Sequence, residues 1–528
     1  MTEAETGIPE ISDFAGWWDL HARLRPDQLA LADSEMRLTW KEAALMARRL
    51  SSALLALDLK AEDLVASWLP NWVESYVIHV ACEHAGLAWL PIPASLRERE
   101  VENILQRARP RVLFVAGPSG RMNFAEAIRQ IRAQIPDPRH CIGVRLKEAG
   151  DFLLWDELLG RGTGRHPRYG TAGALILPTS GSTGMPKFAY FSTSSWLRRG
   201  RVQAEILRLG SEDILLAMAQ GIGPSIPPLF AAPVAGSSVI LMGRGEAGEI
   251  LDLIEREKVT VVCAVPAQLA TVVYHRAWEP RRCRSVRLWY TAGAPMPAEL
   301  AAKIEAESSG KILSGYGGMD FGGWAVPSLE DPPEIRHRTV GRPRGGTEIR
   351  LVDDQGCDVP AGEAGEIWGR GPCCAQGYYK DEQSTLERWT ADGWFRTGDL
   401  GLRDRHGNLV IVGRKKEIIR RGARTIIPAE LEQLLLGHPK IVKAAVIGLP
   451  DPVMEERVCA WVLLRSGHSF SFDEMIGYLK QKGLAPYKWP ERLEIVSDMP
   501  LRGDKIDKQT LRDAILKQRD LIEAVQSK

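Results

Sequence analysis

Cysteine is scarce and lacks pattern in this chain. There are 8 among 528 residues, at Cys82, Cys141, Cys263, Cys283, Cys357, Cys373, Cys374 and Cys459. None falls in a Cys-x-x-Cys spacing, which excludes a disulfide framework and a thiolate zinc site. The vicinal pair Cys373-Cys374 reads as strand packing. Net charge is nearly absent too, at +1 from 68 basic and 67 acidic residues. No global field draws nucleic acid or an anionic membrane, so an anionic ligand must be held by a local site. No run of about 18 uncharged apolar residues occurs, and no membrane-spanning helix is expected. The start, Met1-Thr2-Glu3-Ala4-Glu5, is acidic and lacks a signal-peptide core, so a cytoplasmic location is expected. There is no internal repeat, no low-complexity linker, and no Gly-Lys-Ser/Thr of the nucleotide-hydrolase P-loop.

What is present is ordinary globular material, 45% hydrophobic and 26% charged, enough for more than one domain. Residues 13–58 read as helix in two pieces, the second from Trp40 to Leu57 with Thr39 as its N-cap. Short apolar runs then alternate with helical stretches. Strands are expected at 65–69, 89–92, 111–115, 238–242 and 260–265, with helices at 73–84 and 97–107. That alternation predicts parallel α/β sheets covered on both faces. After about residue 340 the pattern changes to antiparallel strands at 348–352, 365–368 and 409–412, joined by polar turns. From Lys415 a compact α+β unit follows. Its helices are expected at 428–437, 472–482 and 508–518, and its strands at 442–447, 458–464 and 492–496.

The most informative stretch is Thr179-Ser180-Gly181-Ser182-Thr183-Gly184-Met185-Pro186-Lys187, directly after the apolar run Ala174–Leu177. A strand ending in hydroxyls, glycines and one lysine suits phosphate. The hydroxyls donate, the glycines let backbone N–H groups approach, and Lys187 adds charge. Composition alone leaves a Ser/Gly-rich surface turn open. In Gly315-Tyr316-Gly317-Gly318-Met319-Asp320 the glycines permit close approach, the ring offers a stacking face and the carboxylate can reach a metal–phosphate group. A plain loop glycine cluster fits that segment equally. In Trp394-Phe395-Arg396-Thr397-Gly398-Asp399-Leu400, the two oxygens of Asp399 suit two neighbouring O–H donors. Gly413-Arg414-Lys415-Lys416 opens the C-terminal unit, where a charged turn would suffice as a hinge.

Together these segments, in this order and over nearly the whole chain, resemble the acyl-adenylate-forming superfamily. It contains acyl- and aryl-CoA ligases, adenylation domains of peptide synthetases and beetle luciferases. The resemblance implies an α/β fold with a large N-terminal domain, 1–414, of two α/β subdomains plus a small β-barrel-like one. A small mobile α+β C-terminal domain, 415–528, follows. It implies ATP and Mg2+, with Thr179, Ser180, Gly181, Ser182 and Gly184 on phosphate and Thr183 and Lys187 counted with the catalytic groups. Gly293 and Ala294, in Tyr290-Thr291-Ala292-Gly293-Ala294-Pro295, would run along adenine with Gly315, Tyr316 and Gly317. Asp399 would accept from both ribose hydroxyls, with Ile411 and Arg414 nearby, and Asp320 would help hold the metal. Lys416 takes the hinge position, and Gly422 lies in the loop lining the thiol tunnel. Lys505, in Pro500-Leu501-Arg502-Gly503-Asp504-Lys505, aligns with the lysine that contacts carboxylate and α-phosphate. Lys508 is the other lysine of that loop.

The acid-lining segment by the same resemblance is 217–225, with Gln220, Gly221 and Ile222 at its centre and Gly317 and Met319 across from it. Hydroxybenzoate-activating relatives carry His-Asn-Tyr there, so an ortho-hydroxyl reader is missing here. Salicylate and dihydroxybenzoate are therefore not expected, though Gln220 could meet a ring nitrogen or a carbonyl; Cys459-Ala460-Trp461-Val462 and the general pattern lean toward an aromatic or heteroaromatic acid, with a medium-sized aliphatic acid left open. The acyl-AMP would pass to a thiol, CoA or the phosphopantetheine of a separate carrier protein, or be captured by an amine. Phe188, Met319, Asp320 and a lysine loop one residue short depart from the pattern. They are the features a non-catalytic, nucleotide-binding descendant would show.

Overall fold

The computed structural model describes residues 11–120, 122–135, 138–164, 173–179, 186–218, 226–243, 245–320, 322, 324–422, 424–502 and 505–516. Its first sheet has seven strands. Their spatial order is Lys187–Ser192, Ala174–Thr179, Ala88–Ile92, Leu64–Trp68, Val112–Ala116, His140–Val144, Leu153–Leu154. All neighbours run parallel except Lys187–Ser192, which returns antiparallel along Ala174–Thr179. The central strands read as unbroken apolar runs, every residue of Leu64–Trp68 and Val112–Ala116 being buried. Parallel strands covered by helices on both faces require that pattern.

A second sheet has nine strands, in the order Arg342–Pro343, Trp324–Val326, Lys311–Gly317, Leu288–Ala292, Val261–Ala264, Ile214–Ala217, Ser238–Leu241, Leu29–Ala32, Arg37–Thr39. One apolar cluster runs from this sheet into the first, joining Leu31, Leu215 and Leu313 to Val65, Leu113 and Ile176. The outer face is covered by Ala247–Glu257, Pro266–Val273 and Ala298–Glu307. The stretch 13–58 is two helices, Phe14–Leu24 and Trp40–Leu55, but the hairpin Leu29–Ala32/Arg37–Thr39 stands between them. Leu-Ala-Leu-Ala carries a helical propensity, yet Leu29–Ala32 pairs parallel with Ser238–Leu241, and sheet packing overrides it. Thr39 caps the second helix as expected. Its Oγ1 accepts from Glu42 N at 3.3 Å while Glu42 Oε2 accepts from Thr39 N at 2.8 Å, a box that stabilises by about 1 kcal/mol.

The two sheets are clasped where their strands end. Arg145 pairs with Asp33 at 2.5 Å and Glu74 at 2.7 Å, and its guanidinium lies 4.4 Å from the Trp72 ring centroid. Asp33 follows the nine-stranded sheet's Leu29–Ala32, whereas Arg145 and Trp72 follow strands of the seven-stranded sheet.

Next come four antiparallel strands in the order Glu348–Val352, Gly365–Arg370, Phe395–Arg403, Leu409–Arg414. The last unit is a five-stranded sheet: Arg424–Ile426, Ile419–Arg421, Glu455–Leu464 and Ile441–Asp451, with Arg492–Val496 parallel to Glu455–Leu464. Helices Pro428–Leu436 and Phe472–Gln481 bury Leu431, Leu435, Met475 and Leu479 on one face. Helix 508–516 lends Leu511 and Ile515 to the other. Among the described residues, no helix is long and apolar enough to cross a membrane. Among the described residues no cysteine is in a disulfide, Cys373 being buried and Cys374 partly so.

Candidate active site

The site forms where strand ends from both large sheets and the four-stranded sheet converge. Phe395–Arg403 carries Asp399, and Gly398 just before it has φ 72°, a left-handed conformation that glycine adopts without strain. The Asp399 carboxylate has protein donors on both oxygens. The Tyr316 hydroxyl donates to Oδ2 at 2.9 Å, and Arg414 Nε lies 3.1 Å from Oδ1. Asp399 and Arg414 are directly opposite each other across the two strands. Each carboxylate oxygen keeps a further lone pair, so two hydroxyls can still be accepted. Tyr316 comes from the end of Lys311–Gly317 and packs with Ile411 on the small cluster of Ile349, Leu351 and Ile367. Tyr316, Ile411, Asp399 and Arg414, expected together from sequence, are therefore neighbours.

Asp320 lies three residues beyond that strand. Its Oδ1 is shut off from solvent with no hydrogen-bond partner. Burial pushes its pKa up, against the Thr179 hydroxyl, the Arg388 charge, the Tyr378 hydroxyl and the Lys187 charge. Thr179 ends the strand Ala174–Thr179, directly across from Lys187. Lys187 Nζ sits 5.2 Å from the Tyr378 ring centroid and 3.9 Å from Glu387 Oε2. The structure thus joins Thr179, Lys187 and Asp320. It adds Tyr378 and Arg388, which sequence reasoning missed. Tyr378 stands in an unremarked Gln-Gly-Tyr-Tyr run, and Arg388 ends a short exposed helix, Glu382–Arg388. Neither carries a local signal.

Gly315 also has a reason to be glycine, since a Cβ there would come within 2.7 Å of the Tyr290 hydroxyl. Gly293 and Ala294 follow the strand Leu288–Ala292 and are exposed. The residues expected around phosphate at Ser180, Gly181, Ser182, Thr183 and Gly184 lie outside the described residues, as do Gln220, Gly221 and Ile222.

Two departures acquire physical reasons. Phe188 is only 4% exposed, faces Pro178 across the strand pair and lies under the Arg107 guanidinium. Its side chain is core packing one residue past Lys187. Met319 packs against the same apolar core. Cys459-Ala460-Trp461-Val462 is a buried strand inside the C-terminal unit and packs its core.

Beyond Arg414 the backbone makes a short turn, Lys415–Glu417. Burial and the Arg414 charge hold the Lys416 pKa below its ordinary value. Gly422 turns the hairpin Ile419–Arg421/Arg424–Ile426 at φ 57°, donating to Met454 O at 2.8 Å. The backbone of Lys505 pairs with Arg502 in a second hairpin. Lys508 Nζ is clasped by Glu417 at 2.5 Å and Glu432 at 2.9 Å, and these carboxylates hold its pKa up against burial.

The residues present suit a magnesium ion. A buried carboxylate oxygen of Asp320 has no partner, the Thr179 and Lys187 side chains act on the same carboxyl, and Mg2+ is commonly held by one or two carboxylates plus substrate phosphates. No cluster of three or more His, Cys, Asp or Glu occurs among the described residues, so no all-protein cage competes with that arrangement.

Comparison with known proteins agrees. Residues 18–379 match the family described as AMP-binding enzyme, and residues 430–504 match the AMP-binding enzyme C-terminal domain. The salicyl-AMP ligase / salicyl-S-ArCP synthetase of Mycobacterium tuberculosis is 31% identical over 93% of this chain and 88% of that protein. The medium-chain fatty-acid–CoA ligase of Escherichia coli K12 is 29% identical over 97% of this chain and 92% of that one. The crystal structure of an anthranilate CoA ligase, AuaEII, with anthranoyl-AMP superposes with a TM-score of 0.86 at 23% identity, covering 97% and 99% of the two chains, a likeness of fold. The chain belongs to the AMP-binding enzyme family, the AMP-forming ligases that make acyl-adenylates.

Proposed function

We propose that this ligase activates an aromatic or heteroaromatic carboxylic acid with ATP and passes the acyl group to a thiol. The observation that carries the reading is the pair of unlike carboxylates. Asp399 is held by Tyr316 and Arg414, and Asp320 is buried beside Thr179 and Lys187. Asp399 would accept the ribose hydroxyls while the Tyr316 ring offers its face to adenine. Lys187 and the Thr179 hydroxyl face the phosphates. Asp320 would hold Mg2+, which when bound offsets charge on the phosphate oxygens.

In the first half-reaction a carboxylate oxygen attacks the α-phosphorus and the bond to pyrophosphate breaks. Lys505 would offset the charge developing between carboxylate and α-phosphate. Lys508 is committed to Glu417 and Glu432, which favours Lys505 for that role. In the second, the thiol sulfur attacks the acyl carbon, AMP leaves, and the thiol proton goes to solvent. Lys416 would be the hinge on which 415–528 turns, bringing the Gly422 hairpin toward the acyl-AMP.

The acid class rests on the salicylate-activating relative and on the amide of Gln220, which suits a ring nitrogen, while the missing His-Asn-Tyr at 220–222 argues against a hydroxybenzoate itself. The fatty-acid relative keeps an aliphatic acid among the acids to be tested. Both acceptors occur among relatives, since one name carries CoA and the other a carrier protein. Acid-dependent ATP–pyrophosphate exchange over aryl, heteroaryl and aliphatic acids tests the reading. Exchange is expected with an aryl or heteroaryl acid. Exchange confined to aliphatic acids would overturn the acid class, and none with any acid would overturn the activity.

A further inference from the structure

The short helix Glu382–Arg388 ends between the two corners of the site, and its last residues reach both. Glu387 Oε2 lies 3.9 Å from Lys187 Nζ, and Lys187 stands across from Thr179. Arg388 Nη1 donates to Arg396 O at 3.1 Å, on the strand that carries Asp399. The same nitrogen lies 3.7 Å from where a Cβ on Gly398 would stand. Trp389 fixes the helix end, its ring centroid 5.2 Å from that of Tyr378 and 4.6 Å from that of Phe395. Asp381 caps the helix start, accepting from Ser384 N at 3.0 Å. The guanidinium is thus anchored through Nη1 to a neutral carbonyl, and among the described residues it pairs with no carboxylate. Its neighbours are committed: Arg414 lies on Asp399 and Lys187 on Glu387. The Arg388 charge also opposes the raised pKa of Asp320 and adds to the lowering at Lys416, so both are within its reach.

We infer that Arg388 binds the α-phosphate of the nucleotide and holds it through both half-reactions. The inference rests on the function proposed above, with Asp399 on the ribose and Asp320 on the metal and its phosphates. The phosphate next to the ribose then falls between those two carboxylates, where Arg388 is anchored. A planar guanidinium with N–H groups to spare suits phosphate oxygens. Met319 packs on the apolar core and its thioether offers no donor, so Arg388 supplies one that this strand end lacks. Arg388 precedes Lys416 in the chain, so it would not travel with 415–528 as Lys505 does. ATP, acyl-AMP and AMP all carry the α-phosphate, and a cation that stays in place serves every stage.

Calorimetric binding of AMP and of adenosine to the full chain tests it, without Mg2+ so that no metal at Asp320 contributes. The two ligands share adenine and ribose and differ only in the phosphate. Arg388→Gln keeps a donor for Arg396 O and removes the charge, whereas Arg388→Lys keeps the charge. Arg388→Gln is expected to weaken AMP about tenfold, the scale of one charge-assisted hydrogen bond, with adenosine within about twofold of wild type. Arg388→Lys should recover part of that loss, as a phosphate contact requires and a purely structural role does not. An unchanged AMP affinity in Arg388→Gln, or AMP and adenosine weakened together, overturns the inference. If melting shows that Arg388→Gln does not fold, Arg388→Ala is read by the same comparison. A wild-type enzyme that binds neither ligand removes the nucleotide site and this inference with it. A wild-type enzyme that binds both, with AMP affinity unchanged in the variant, removes the inference and leaves the function standing.

Discussion

Asp399 and Asp320 make an instructive contrast. Both are single aspartates of one site, Asp399 within Phe395–Arg403 and Asp320 just past Lys311–Gly317, yet their surroundings differ. Asp399 has a phenol on one oxygen and a guanidinium on the other. Its geometry is fixed before any ligand arrives, which suits recognition of neutral hydroxyls at modest cost in reorganisation. Asp320 has an oxygen with no partner and a pKa raised by burial. It is incomplete by itself, and a cation would relieve it. On the reading proposed above, the same functional group would serve hydroxyls in one corner and charge in the other.

Four experiments would break or sharpen that contrast. The largest effect is expected from Lys505→Ala, which should slow adenylation about 10²–10³-fold, the scale of losing one aligned donor of charge. Thioester formation from supplied acyl-AMP should barely change, and an equal fall in both half-reactions would remove the role. Asp320→Ala comes next, with exchange slowed about 10²-fold and the Mg2+ concentration for half-maximal rate raised. An unaltered Mg2+ profile would place the cation elsewhere. Its raised pKa gives a sign as well. The ionised form is lost, as pH falls, at a higher pH than for an ordinary carboxylate, so Mg2+ activation should weaken early on acidification. Asp399→Asn should raise ATP KM about tenfold with the acid KM nearly constant, as expected for a charged hydrogen-bond acceptor. Tyr316→Phe removes only a neutral tether, and ATP KM should rise about threefold. If Tyr316→Phe proved the more damaging of these two, Asp399 would not be the ribose acceptor.

A fifth measurement concerns stability away from the site. Glu83 is buried at the start of the helix Phe14–Leu24, accepting from Ala15 N at 2.8 Å. Burial and the nearby Asp13 raise its pKa to about 8. The folded state therefore binds a proton that the unfolded state has released, and stability should fall as pH rises from about 4.5 to about 8. Glu83→Gln keeps an acceptor for Ala15 N and should flatten that slope in melting temperature. An identical slope in the variant would refute the assignment.

Much of this was legible in the sequence because periodicity survives packing. The apolar runs of the seven-stranded sheet are continuous, as two-sided burial demands, and the Thr39 cap declares itself through Glu42. The Leu29–Ala32 strand was not legible, since nothing local separates Leu-Ala-Leu-Ala from a helix; its parallel partner is 208 residues away. That Asp399 and Arg414 lie together could be read from their motifs, whereas the contacts of Tyr378 and Arg388 around Asp320 exist only in the fold. Conversely Phe188, a departure from the family pattern in sequence, is core packing in the fold.

The clasp of Lys508 between Glu417 and Glu432 has a mechanical consequence. Glu417 adjoins Lys416, and Lys508 lies three residues past Lys505. Under the hinge reading proposed above, the Glu417 pair ties the chain just past the pivot to the helix that follows Lys505, and the Glu432 pair ties that helix to Pro428–Leu436. A turn at Lys416 would then carry the Lys505 backbone through an arc of fixed radius, like a crank.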